Sequence, residues 1–314
     1  MVDELIDSCR VCGSPIQATE HTPQPENGLC AGCVAADQPE RGLNHVAQDS
    51  EAEPTFADQI APPPQPPLDP DNPWWGPLVG LGTWAFSIAA SIIIPLIPLI
   101  FLMFVKAANG ATAESLRDWV ESSSAVLLLL ISTFPAQMII LLFCWAVVTG
   151  RGKRPFLQSL GWHWAGRSAF FWGLVSVGVV IAIELITNFL LRSLPERVSP
   201  FEEMLKSSQS IKITTVFLAI LTAPLIEEIV YRGVLFSALR KRLSAAATVV
   251  LVTLVFVGVH VPQYRGAWRT IAALTLLSFS LTIVRAKTSS ILPSFLIHLV
   301  NNTVSSIAIL FQRD

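Results

Sequence analysis

Residues 213–239 read ITTVFLAILTAPLIEEIVYRGVLFSAL, an apolar run whose only charges are Glu227, Glu228 and Arg232. Its length suits a helix crossing roughly 30 Å of hydrocarbon. One Arg, Lys or Asp at the centre of such a helix costs about 2.5–3.5 kcal/mol on insertion scales, so three charges there need partners. Glu228 and Arg232 are i, i+4 neighbours that can pair on one helical face. Glu227 lies about 100° round the helix and is left without that cation. Pro224, just upstream, lacks an amide hydrogen and is expected to bend the helix.

Six further apolar runs lie at 78–105, 124–148, 168–191, 246–261, 268–285 and 289–311. With 52% hydrophobic and 14% charged residues, the chain is far more apolar than a soluble domain, where about 25% of positions are charged. An all-α, multi-pass membrane bundle of about seven spans, with a range of six to eight, follows. A net charge of −2 gives no basic footprint of the kind nucleic acid requires. The first 30 residues are polar and contain Cys and Pro, so they do not read as a secretory signal.

Orientation comes from the connections. Arg151, Lys153, Arg154 and Arg167, then Arg240, Lys241 and Arg242, then Arg285 and Lys287 fall on alternate loops. The positive-inside rule puts these loops and the N-terminus in the cytoplasm, of a plasma (inner) membrane. The other connections, around Lys106–Glu121 and Glu196–Lys206, carry mixed charge.

Ahead of the membrane domain (74–314), two pieces differ in composition. Residues 1–35 hold Cys9-x-x-Cys12 and Cys30-x-x-Cys33, two hooks separated by 17 residues. In a reducing compartment such hooks suit tetrahedral zinc rather than disulfides, so a zinc-ribbon-like module is expected, with structural zinc on these four thiolates. A redox-active or vestigial pair of hooks is the other reading. A ribbon of this kind serves by default as a small interaction module for a cytoplasmic protein partner. Residues 36–73 end in APPPQPPLDPDNP and read as a polar, polyproline-rich spacer. Trp74 and Trp75 then suit a membrane–water interface.

Few other polar groups interrupt the apolar runs. Phe256 and His260 are i, i+4, as are His298 and Asn302, so each pair can face a shared cavity. A lone intramembrane His serves more often as a helix–helix hydrogen-bond partner. Two His, an Asn and a Glu pair on successive spans tip the balance toward chemistry. Glu184, with Asn188 four residues on, reads as an interhelical hydrogen-bonding group.

The set EEIVYR (Glu227, Glu228, Arg232), FVGVH (Phe256, His260) and HLVNN (His298, Asn302) resembles the EExxxR, FxxxH and HxxxN/D motifs of the CAAX prenyl protease and bacteriocin-processing (CPBP, or Abi) family of intramembrane proteases. The likeness covers about residues 170–311. It implies a helical-bundle endopeptidase with a catalytic cavity inside the membrane, acting on a membrane-associated peptide or protein. It also implies roles: Glu227 and His260 activate water, His298 and Asn302 stabilise the oxyanion, and Glu228 with Arg232 support the site.

Residue chemistry points the same way for the glutamates. A carboxylate without a cation suits a general base, while one paired to Arg stays structural. Two His and a Glu satisfy a zinc hydrolase by ligand type, but none of the five histidines is followed by Glu, so no HExxH occurs. We expect no catalytic metal. The family also contains immunity and scaffold proteins, so a non-catalytic membrane scaffold or bacteriocin-immunity protein is the alternative. A proton-relay transporter would call for inverted repeats, which the sequence does not show.

Overall fold

A computed structural model describes residues 68–193 and 197–311. Cys9, Cys12, Cys30 and Cys33, and most of the proline-rich segment, lie outside the described residues. Every regular element among the described residues is a helix.

Two long helices open the bundle, α1 (Pro77–Ala108) and α3 (Ser123–Thr149), joined through the short α2 (Ala113–Val120). Pro77 occupies the first turn of α1, where its missing amide costs nothing. Ser122 caps α3 through the Ala125 amide, and Gly150 ends it in the left-handed conformation. After α4 (Phe156–Ser159) comes α5 (Ala169–Leu190), capped by Ser168. The short α6 (Pro200–Lys206) begins with a full capping box between Ser199 and Glu202.

The run containing the three charges is broken. It forms α7 (Gln209–Leu221), α8 (Ala223–Glu227), a π-helical segment (Glu228–Leu235) and α9 (Phe236–Arg240). The two halves meet at an angle of 42°. Pro224 supplies the cause, because it cannot donate to the Ile220 carbonyl and its ring crowds that turn. The expected bend is therefore present, and the π segment follows directly after it.

The chain closes with α10 (Ala245–His260), α11 (Trp268–Thr288) and α12 (Leu292–Phe311). Five helices, α1, α3, α5, α11 and α12, are long and apolar enough to cross a membrane, and the broken α7–α9 segment makes six. The seventh expected span is α10, which has 16 residues and is about 24 Å long. It falls about 6 Å short of the hydrocarbon thickness, which reduces the expected seven spans to five or six.

Only 17–28% of the apolar window of each spanning helix is buried in protein. Leu78, Phe101, Phe104, Phe170 and Phe189 all face outward. An apolar surface of that extent belongs in lipid, and the chain is a multi-pass membrane protein.

The inner core forms around the broken segment. Every residue of Glu228–Leu235 is buried, among side chains that include Trp75, Cys144, Val148 and Phe256. Close approach of α1 depends on Gly80, where a Cβ would collide with that of Ala238. Trp75 corrects the interfacial expectation: it is 2% exposed and its indole donates to the Val234 carbonyl at 3.1 Å. Trp74 stays half exposed and donates to the Val148 carbonyl.

Candidate functional site

The glutamate pair divides at the junction of α8 and the π segment. Glu228 is fully buried, and its Oε1 accepts from Arg232 Nη1 at 3.0 Å and from His298 Nδ1 at 3.0 Å. Arg232, also fully buried, is held on every side. Its Nη2 donates to the Ser278 hydroxyl at 2.8 Å and the Ser278 carbonyl at 3.3 Å, and its Nε to Thr282 Oγ1 at 3.4 Å. The guanidinium carbon sits 4.7 Å from the centroid of the Phe256 ring, a cation–π contact in a site without water competition. The two charges are mutually paired, and Nε, Nη1 and Nη2 of Arg232 and Oε1 of Glu228 all have partners, while Glu228 Oε2 is buried without one among the described residues.

Glu227 lies elsewhere. Its side chain is 26% exposed and makes no ion pair with Arg232; its nearest cationic neighbour is His298 Nε2, 3.7 Å from Oε2. That separation exceeds a hydrogen bond. His298, 3% exposed on α12, thus stands between the two carboxylates, bonded to one and facing the other. A carboxylate can only accept, so Nδ1 carries the proton shared with Glu228. His298 Nε2 is the nitrogen left for chemistry.

His260 ends α10 with its Nδ1 2.8 Å from the Phe256 carbonyl. Since a carbonyl only accepts, Nδ1 is the protonated nitrogen and Nε2 is left as the basic one. Phe256 packs between the two imidazoles, 4.7 Å from His260 and 6.2 Å, edge to face, from His298. One fully buried ring therefore spaces both histidines and roofs Arg232.

Asn302 makes its hydrogen bonds to other groups. Its amide donates to the Ala219 carbonyl at 2.9 Å and its carbonyl accepts from Asn301 at 3.3 Å, tying α12 to the last turn of α7. It also lines a cavity of about 830 Å³ walled by α5, α6, α7, α11 and α12, where Glu184, Lys212 and Tyr264 contribute polar groups. Tyr264 lies on the turn after α10. Burial, then the Glu227 and Glu202 carboxylates, push its phenol above the ordinary value. Among the described residues Glu184 accepts from the Asn188 amide through its backbone carbonyl and its carboxylate, a bond within α5 rather than the interhelical one expected.

Sequence reasoning missed Ser278 and Thr282, the hydroxyls that hold Arg232. Their signal was present: positions 278, 282 and 285 are polar and share one face of α11. Arg285 was read as a loop charge marking the cytoplasmic side. In the structure it is fully buried and so does not count toward that bias.

Among the described residues, no group of three or more His, Cys, Asp or Glu side chains is placed to hold a metal. Glu228 Oε1 and His298 Nδ1 are already spent on each other and on Arg232.

The fold and site define a helical membrane bundle whose broken central segment carries a buried Glu228–Arg232 pair, joined by His298 of α12, beside a second, accessible glutamate. Residues 209–304, from the start of α7 into α12, match the family described as Type II CAAX prenyl endopeptidase Rce1-like. The resemblance read from the three motifs is shown over that stretch, which contains all of them. No curated protein and no solved structure matches the chain.

Proposed function

We propose that the protein is an intramembrane endopeptidase that hydrolyses a peptide bond of a membrane-associated substrate with a water activated by Glu227. The observation that carries this reading is the division of the glutamates: Glu228 is fully buried and paired through Oε1 to Arg232 and His298, whereas Glu227 is accessible and faces His298 Nε2 across 3.7 Å. A free carboxylate beside an imidazole is the arrangement general-base hydrolysis needs.

In this scheme Glu227 takes a proton from water as the hydroxide oxygen attacks the scissile carbonyl. The same carboxyl returns that proton to the leaving amine. His260, with Nδ1 fixed on the Phe256 carbonyl, orients the water through Nε2. His298 donates from Nε2 to the developing alkoxide, which requires the imidazolium because its Nδ1 proton already serves Glu228. The second hydrogen of the Asn302 amide, beyond the one given to Ala219, is the other donor. Glu228 and Arg232 hold His298 in register. The cavity of about 830 Å³, which Asn302 lines but Glu227, His260 and His298 do not, is large enough for a short peptide segment. No step is routed through a metal.

We further assign a structural zinc to Cys9, Cys12, Cys30 and Cys33, and place the N-terminus in the cytoplasm of the inner membrane, where the module would meet a protein partner. The test of the enzymatic reading is cleavage of a library of membrane-tethered peptides by the purified protein, alongside Glu227→Ala and His260→Ala. Cleavage by wild type alone supports it. Cleavage by none of the three would replace it with the non-catalytic scaffold.

A further inference from the structure

The π segment is held from outside by two donors that the mechanism above does not use. Arg285 of α11 gives Nε to the Arg232 carbonyl at 3.1 Å and Nη2 to the Ser237 hydroxyl at 3.0 Å. The Trp75 indole gives its proton to the Val234 carbonyl at 3.1 Å. A π turn displaces carbonyls from ordinary i→i+4 bonding, and buried carbonyls need partners from elsewhere. Here they come from residues 159 and 53 positions away in sequence.

Arg285 is itself held by the segment ahead of α1. Its Nη1 pairs with Asp71 Oδ1 at 2.7 Å and its Nη2 also donates to the Pro70 carbonyl at 3.1 Å. The other Asp71 oxygen accepts from the Ser289 hydroxyl. Lys241 Nζ donates to the Pro73 carbonyl at 2.8 Å, a further tie between this segment and the end of α9. Residues 70–75 therefore form a strap across one end of the bundle. A continuous path of bonds runs from Asp71 through Arg285 to the Arg232 backbone, and from the Arg232 side chain through Glu228 to His298.

We propose that Arg285, fixed by Asp71, is a positioning residue: the strap sets the π turn and thereby the orientation of Glu228 and His298. The effect on catalysis rests on the endopeptidase reading; the effect on the turn does not. Asp71 is the right place to perturb, being 28% exposed and outside the helices, so that its loss does not open the core. Without it, the Arg285 fork is drawn toward water and the Arg232 carbonyl loses its donor.

The experiment compares full-length wild type, Asp71→Asn and Arg285→Lys in lipid nanodiscs by amide hydrogen exchange and, in parallel, by peptide cleavage. Arg285→Lys keeps the charge but cannot bond Arg232, Ser237, Pro70 and Asp71 at once. The proposal expects exchange across residues 228–240 to rise about tenfold in both variants, with α3 and α5 unchanged. It expects kcat to fall about tenfold with KM held, since the turn and not the cavity is loosened. Unchanged exchange at 228–240, or an equal rise in every helix, overturns it. So does a selective rise in exchange with wild-type kcat. If wild type cleaves no peptide, the enzymatic reading fails and the exchange comparison alone decides whether the strap holds the turn.

Discussion

The buried pair of Glu228 and Arg232 makes a quantitative demand on stability. Consider Glu228→Leu, Arg232→Met and the double variant. Both side chains are fully buried and 3.0 Å apart, so each single change strands one charge without its partner. Breaking a buried ion pair on one side costs about 3–5 kcal/mol, and the two singles together amount to about 6–10 kcal/mol. The double variant replaces both charges with apolar groups of similar volume, which is often close to neutral. It still leaves the His298 Nδ1 proton without an acceptor, at about 1–3 kcal/mol. The coupling energy is then at least about 3 kcal/mol. Reversible unfolding in mixed micelles, titrated with denaturing detergent and followed by tryptophan fluorescence, measures all four corners of the cycle. Glu227→Leu belongs beside it as a control and should cost less than either single change, since its side chain is partly exposed and its nearest charge partner is 3.7 Å away. A coupling below about 0.5 kcal/mol, the level of simple additivity, would refute the pair as the anchor of the site.

Other consequences are open to the same kind of test. Gly80→Ala places a methyl against Ala238 and should cost about 1–3 kcal/mol in the detergent titration, whereas Gly82→Ala, with nothing within 4 Å of the new methyl, should stay within about 0.5 kcal/mol. Trp75→Phe keeps the ring but leaves the buried Val234 carbonyl without its donor. A loss of about 1–3 kcal/mol is expected there. Cys9→Ser and Cys30→Ser should each abolish zinc found in the purified wild type by metal analysis; zinc retained in both would remove the ribbon assignment.

The membrane bundle was legible because α1, α3, α5, α11 and α12 each announce themselves as long apolar runs. The bend in the fourth run was legible too, from Pro224 alone. The π turn behind it was not, because it is sustained by Trp75 and Arg285, and no local pattern in 228–235 reports donors that far away. Arg285 itself misled. Near a helix end and beside Lys287 it reads as a loop cation, and only Asp71, 214 positions earlier, turns it into a buried group. The site residues were found as motifs, and the i, i+4 rule correctly paired Glu228 with Arg232. The same rule grouped His298 with Asn302. The fold brings His298 to Glu228, 70 positions away, and ties one hydrogen of the Asn302 amide to Ala219, neither of which the spacing reports. Helical spacing tells which residues share a face, whereas the neighbouring helix decides what that face meets.

The central claim is that Glu227, not Glu228, activates the water. Its most direct measurement is the single-turnover cleavage rate of Glu227→Gln, reconstituted in liposomes with a tethered peptide that wild type cleaves. The account predicts a fall of about 10²–10⁴-fold, with stability unchanged because the amide fills the same space. Cleavage by Glu227→Gln at the wild-type rate would contradict it.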